Sequence, residues 1–453
     1  MRNKIRYYDS VLRKNKCMDF HTPAERMIQD FNTHSDNKFL YETTAFMTAP
    51  VLVSYVIWVL DSARKKGIRR LYFLARDGYI MYQIALTLCR AYHLNIDCRY
   101  FYCSRYALRM PLFLIDREEA LDKVCINGYC VTAEIVLDRV GLDKWEKEQV
   151  FSELGIESKK QILSKAGLAE LRQRLEHSDT FLKLALKRSN ESYSMIYSYF
   201  LQEGFFDSIH FAIVDSGWSG SMQRSIRRIL EYAGKEDILQ GFYFGMYEMG
   251  KPEDGQYYCY YFSSSKHYFR SINFNNNLFE CLCSANHGMT IGYEKNNEGR
   301  IVPILNLFHF NQNTELQLKV LQNFAVRFVE NNSVLSENNI SMVHFLLKSF
   351  MGYPCRAEAD FYGGISFCDD STEKYMVPLA DRLSMEDIRQ QLISTKVIRK
   401  FKIKKAAKTY KESFWIQGTL ARYKYPCTKL LNVNFKLSIF IYSFLKYLKI
   451  GKI

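Results

Sequence analysis

The chain is expected to fold as an α/β protein with a parallel central sheet, on three observations. Twice an apolar strand runs into a short loop of small and charged residues and straight on into an amphipathic helix. The first unit is Leu71 to Tyr79, continued by Ile80 to Leu88; the second is Phe211 to Ser221, continued by Met222 to Leu230. Further strand patterns alternate with helical ones around these two units, the sign of βαβ construction. A hydrophobic fraction of 48% and an aromatic fraction of 15% over 453 residues supply a sizeable core and exclude disorder over most of the length.

Taken in order, residues 1–43 are polar with helical patches and are expected to form an arm packed on the core. Pro50 to Lys66 carries Val51, Val53, Val56, Trp58 and Val59, with Pro50 in its first turn and Gly67 after its end, so it predicts a buried helix. A helix is expected over 79–93 and a strand from Cys98 to Cys103, leading into Ser104 and Arg105. From about 116 to 200 the chain is charged, helical in period and free of strand patterning, which predicts a helical insertion. Strands are expected at Gly241 to Tyr247 and Gly255 to Phe262, and a short helix carrying Glu280 at Asn273 to Cys283. A hairpin is expected at Met289 to Tyr293 and Ile301 to Ile304, turning at Asn296 to Gly299. Leu316 to Phe350 is again helical. The expected organisation is an arm (1–43), an α/β core (44–305), a helical extension (306–395) and a basic tail (396–453).

The twelve cysteines form no CxxC pair and no metal-binding cluster with histidine, so reduced, mostly buried thiols are expected. The amino terminus lacks the apolar segment of a signal peptide, and no uncharged stretch is long enough to span a bilayer. A cytoplasmic protein, peripheral on the inner face of the membrane, is the expectation. The net charge of +14 belongs to the tail: from Lys396 onward fifteen basic residues face one acid, Glu412, and residues 1–395 balance. Phe435 to Ile450 has helical period, with Leu437, Phe440, Ile441, Phe444, Leu445 and Leu448 on one face and lysines opposite. A basic amphipathic helix fits an anionic membrane surface. No nucleic-acid module is present, and nucleic acid is not expected as a partner.

Each strand–loop–helix unit has the anatomy of an anion site, a helix amino terminus with free N–H groups and glycine where backbone must approach closely. An isolated unit is more often an ordinary connection. Loops on neighbouring strands, however, face one crevice at the carboxyl edge of an open sheet. Arg76 offers a fork for a diphosphate, and Asp77 and Asp215 offer carboxylates for Mg²⁺. Gly78, Ser216, Gly217, Trp218, Ser219, Gly220 and Ser221 complete the candidate binding loops, and Ser104 with Arg105 adds a cation at the end of a third strand. Glu280, His287 and Asp77 are candidate bases for an acceptor hydroxyl; a lone loop histidine such as His287 is more often structural.

The two loops resemble those of the type I phosphoribosyltransferases, whose donor loop is a strand, an acidic pair and then small and hydroxyl residues opening a helix. Asp215-Ser216 stands at the acidic pair, where the second acid is missing, and Ser219-Gly220-Ser221 at the hydroxyl segment. Over roughly residues 45–420, several segments together resemble a bacterial surface-polysaccharide family. They are Phe73 to Gly78, Ser104-Arg105, Val214 to Gln223, Glu280 with Ala285 to Gly288, and Trp415 to Leu420. Members are often labelled HAD-like hydrolases. The family also resembles transferases that build ribofuranose 5-phosphate into capsule and O-antigen glycans from phosphoribosyl diphosphate, a separate phosphatase then removing the 5-phosphate. The resemblance implies a phosphoribosyltransferase-like core, a glycosyltransferase with Mg²⁺, phosphoribosyl diphosphate as donor and a lipid-linked glycan as acceptor. A phosphatase of the HAD type needs a second Asp two positions after its nucleophile; Asp77 is followed there by Tyr79 and Asp215 by Gly217. A non-catalytic assembly scaffold and a nucleotide-sugar glycosyltransferase are the other readings.

Overall fold

In the computed structural model the described residues are 2–447, apart from 15–16, 32–36, 129, 308–311, 334, 336–338, 369, 371, 374–375, 393–410 and 424–427. The chain is a mixed α/β protein, 59% helical, around one five-stranded parallel sheet. The strands are β1 (Arg70–Leu74), β2 (Asp97–Phe101), β3 (Phe211–Trp218), β4 (Gln240–Met246) and β5 (Gln256–Phe262). Their order across the sheet is β2-β1-β3-β4-β5, every neighbouring pair parallel. From β1 the chain crosses first to one side, to β2, and then back to the other, to β3. The connections therefore diverge between β1 and β3, where open parallel sheets leave a crevice at their carboxyl edge.

Both faces of the sheet are covered, which explains why the strands read as continuous apolar runs. Leu71, Phe73, Ala212, Val214, Phe242 and Phe244 point into a core shared with helix Ala49–Lys65, helix Gly78–Ala91 and the helices of the amino-terminal arm. Helices Gln312–Asn331 and Ile340–Gly352 join the same core through Leu321, Phe324, Leu346 and Phe350. The alternate residues Tyr72, Leu74, Ile213 and Tyr243 face a second core with Tyr199, Phe200, Ile226 and Ile229. The period of two thus sorts one strand sequence between two cores.

The described residues of the predicted insertion form helices Arg117–Val124, Ala133–Asp138, Lys144–Leu154, Lys165–Glu176 and Asp179–Gln202. It encloses a core of its own from Leu121, Val136, Val150, Phe151, Leu171 and Phe181, with Leu112 at its edge. The predicted hairpin is antiparallel, Thr290–Lys295 with Ile301–Leu305. Helix Thr428–Tyr447 covers most of the predicted tail helix; the cationic stretch 396–408 and residues 448–453 lie outside the described residues. Among the described residues one helical stretch, Lys38–Lys65, is long and apolar enough to cross a membrane, but its apolar window is 94% buried inside the protein, so it is core.

Two boundaries differ from the sequence reading for identifiable reasons. The second strand stops at Phe101, two residues before the expected Cys103, because Ser104 caps the next helix, Arg105–Arg109. β3 runs three residues past Asp215, with Gly217 paired to Gly245 and Trp218 to Met246. The polar residues Ser216 and Gly217 look like loop but lie in the sheet. Gly217 has φ +124, and a Cβ there would run into the carbonyl oxygen of Gly245. This glycine lets β3 pair closely with β4 at the cavity edge.

Candidate functional site

The carboxyl ends of β1 and β3 open into a cavity of ≈1380 Å³ at the divergence point. Arg76 and Asp77 line it from β1, and Asp215, Ser216, Gly217, Trp218, Ser219 and Ser221 from β3 and the turn after it. Ser104, Arg105 and Glu280 line it as well. Of the residues singled out in the sequence, Gly78, Gly220 and His287 do not line it.

Each helix behind the two loops starts at the cavity edge without a side-chain cap: Gly78–Ala91 behind Asp77, and Ser221–Tyr232 behind Gly220. Other helices, such as those starting after Ser104, Asp116, Thr132, Asp143 and Ser178, satisfy their first N–H groups with a side-chain oxygen. A helix start without a side-chain cap can present first-turn N–H groups to an anion, although the Tyr79 N–H is taken by the Arg76 carbonyl at 3.0 Å. Helices away from the cavity, such as those starting after Pro111 and Trp415, also lack such a cap. The glycines act through geometry. A Cβ on Gly78 would lie 2.9 Å from the Phe73 carbonyl carbon, so Gly78 lets the helix fold back onto the end of β1. Gly220 has φ +67 and sits with its Cα face against Tyr257, 2.6 Å from where a Cβ would be.

Asp77 and Asp215 form an electrostatically linked pair. Burial pushes the Asp215 carboxyl up to about 7, and the nearby Asp77 charge adds to the rise. Burial raises Asp77 too, while the hydroxyl of Ser216 donates to its Oδ2 and favours its charged form. The Ser216 N–H donates to Asp215 Oδ1 at 2.9 Å. Burial and mutual repulsion thus raise both carboxyls, and the Ser216 hydroxyl offsets part of the rise at Asp77. The Tyr55 hydroxyl, 2.9 Å from the Asp215 carbonyl and 3.0 Å from that of Phe242, fixes the backbone of β3 beneath the pair.

Several expected ligand groups have internal partners. The hydroxyl of Ser216 is committed to Asp77. Ser104 Oγ accepts from Ala107 N at 3.0 Å and donates to the Thr290 carbonyl at 2.6 Å, tying the hairpin to the site. Arg76 is ion-paired with Glu373. Trp218, with φ +86, points its indole N–H at Glu280 Oε1, 2.6 Å away, so it orients an acid rather than stacking freely. His287 does not line the cavity: its Nε2 is 2.7 Å from the Tyr100 hydroxyl, its Nδ1 2.8 Å from the Gly288 carbonyl. With both ring nitrogens occupied and burial lowering its pKa, it is a neutral structural imidazole.

Sequence reasoning missed Glu373 and Asp370, which line the cavity from the segment between the short strands Ser366–Phe367 and Val377–Pro378. Asp370 is bound by Arg139 of the helical insertion. The acid-rich run Asp369 to Glu373 was the available signal, but nothing local in it names Arg76 or Arg139 as partner.

Among the described residues there is no group of three or more His, Cys, Asp or Glu side chains that would enclose a metal alone. Mg²⁺ differs in need: one or two carboxylates plus ligand phosphates suffice. The Asp77/Asp215 pair, whose mutual repulsion a cation would relieve, fits that description. Comparison with known proteins finds no family model that matches the chain and no matching curated protein.

Proposed function

We propose that the protein is a glycosyltransferase of capsule or O-antigen assembly that moves ribofuranose 5-phosphate from phosphoribosyl diphosphate to a lipid-linked glycan. One observation carries this reading: two helix starts without side-chain caps meet across the β1/β3 divergence, with Arg76, Arg105 and a carboxylate pair in one cavity. That arrangement suits a donor phosphorylated at both ends, in a phosphoribosyltransferase-like core. At ≈1380 Å³ the cavity exceeds the roughly 300–1,000 Å³ of a single-ligand pocket, leaving room for an acceptor sugar.

In this reading Arg76 grips the diphosphate, exchanging Glu373 for the ligand. The N–H groups at Ser221 and Met222 take the 5-phosphate, with Ser219 beside them. Asp77 and Asp215 are the residues that would hold Mg²⁺, which would supply charge neutralisation for the departing diphosphate. The C1–O bond to diphosphate breaks as the acceptor oxygen bonds to C1 from the opposite face, giving a β-ribofuranosyl phosphate. The acceptor proton passes to a carboxylate, with Glu280 the candidate held in place by Trp218. A separate phosphatase would act on the product.

The test is a melting titration with phosphoribosyl diphosphate and Mg²⁺, followed by mass spectrometry of a lipid-linked acceptor. A rise in melting temperature with this donor and a product heavier by one ribose phosphate is expected. Stabilisation by a nucleoside diphosphate sugar instead would replace the donor assignment.

A further inference from the structure

Helix Thr428–Tyr447 is docked on the body by one side and leaves a stripe of apolar side chains on the other. Leu430, Val433, Leu437, Ile441 and Phe444 are all exposed, Leu430 by 75% and Val433 by 64%. Their spacing of three or four residues puts them on one face. The docked side is a mixture. Phe435 is buried beside Leu383, Ile388 and Leu420, and Phe440 stacks on Phe269 at 5.5 Å. Asn432 donates to the Gly352 carbonyl at 3.3 Å. Lys436 lies 3.1 Å over the ring of Tyr353, and burial lowers its pKa to about 8. The helix thus docks through Phe435, Lys436 and Phe440 and still leaves an apolar row outward, which docking on this core does not use.

We infer that this helix is a membrane-docking element, inserting Leu430, Val433, Leu437, Ile441 and Phe444 into the interfacial region of a bilayer rich in anionic lipid. Two features on the same segment select a lipid surface over another protein. The row runs from Leu430 to Phe444, and on the docked side the exposed rings of Phe269 and Tyr353 meet the helix at Phe440 and Lys436. Residues 396–453 carry fifteen basic residues against the one acid Glu412, which complements anionic headgroups. Basic charge draws the protein to the surface and the apolar row holds it there. The inference does not depend on the donor assigned above.

Full-length protein is mixed with vesicles of phosphatidylcholine and phosphatidylglycerol, and sedimented. Leu437→Asp/Ile441→Asp should weaken partition by tenfold or more, with circular dichroism unchanged and the melting temperature lowered only slightly, because the two side chains are 49% and 37% exposed. Raising salt should strip the variant from vesicles faster than the wild type, since only its electrostatic attraction remains. A cysteine-free background carrying Val433→Cys with an environment-sensitive fluorophore should blue-shift on vesicles. Equal partition of wild type and variant would overturn the inference. So would a wild-type dimer in light scattering that the same variant dissolves, because the row would then be a contact between copies.

Discussion

Asp215 is a carboxyl whose proton is held by its surroundings, and that has a measurable cost. Its pKa is raised in the fold from 3.8 to about 7, so the folded state binds more protons than the unfolded chain between those values. Stability from this group is full below pH 4 and is lost as pH rises towards 7. Solvent reaches the side chain from the cavity, so the effect is discounted to about 2 kcal/mol. Asp215→Asn should flatten the pH dependence of the melting temperature between pH 4 and 7 and stabilise the protein at pH 8. It should also abolish transfer and the Mg²⁺-dependent rise in melting temperature. A variant that kept the wild-type pH slope would show that the proton sits elsewhere. Arg76 and Glu373 make a paired prediction. Arg76→Ala should weaken pyrophosphate binding about tenfold or more, the scale of a charge-assisted hydrogen bond. Glu373→Gln, which removes the competing carboxylate but keeps the shape, should tighten it. Calorimetric titration of both reads opposite signs if Glu373 occupies the place of the ligand's anion, and the same sign if the pair only holds the segment together.

At the scale of elements, the loop after β3 is far shorter than its sequence suggests. Ser216, Gly217 and Trp218 carry no strand propensity as a group, yet pairing with β4 absorbs them, leaving Ser219 and Gly220 as the turn. What was legible was the apolar run before Asp215 and the amphipathic helix after it; what was not was a cross-strand partner contributed by another part of the chain. The same holds for Trp218, whose role depends on an acid 62 positions away. Trp218→Phe keeps the ring and loses the N–H, leaving Glu280 without that donor. If Glu280 accepts the acceptor's proton, the variant should lower kcat with little change in KM for the donor, and the pH profile of kcat should shift. An unchanged pH profile with raised KM would mean that the indole touches substrate. Gly217→Ala should behave differently, because its Cβ meets a carbonyl oxygen of β4. Loss of soluble, cooperatively folding protein is expected, not a kinetic change.

Across the whole molecule the α/β class and the insertion were readable because each rests on local periodicity. The connections that make one site of them were not, because they join residues hundreds of positions apart. Arg139, in the insertion, and Asp370, beside the cavity, are such a pair, each side chain less than a tenth exposed. Arg139 also donates to the carbonyls of Val124 and Ile126 at 2.7 Å, so one guanidinium ties two turns of the insertion to the cavity wall. Removing one partner of a buried ion pair leaves an uncompensated charge and costs about 3–5 kcal/mol, whereas replacing both by apolar groups is often near neutral. Arg139→Met should therefore lower the melting temperature sharply, and Asp370→Leu should do the same. The double variant should recover part of the loss, giving a coupling energy of about 1 kcal/mol or more in the mutant cycle. Pyrophosphate affinity measured alongside decides what the pair does for the site. If the insertion positions the wall that carries Glu373, all three variants bind pyrophosphate differently from wild type, including the stable double variant. If affinity in the double variant returns to the wild-type value with stability, the ion pair holds the fold and leaves the cavity to its own residues.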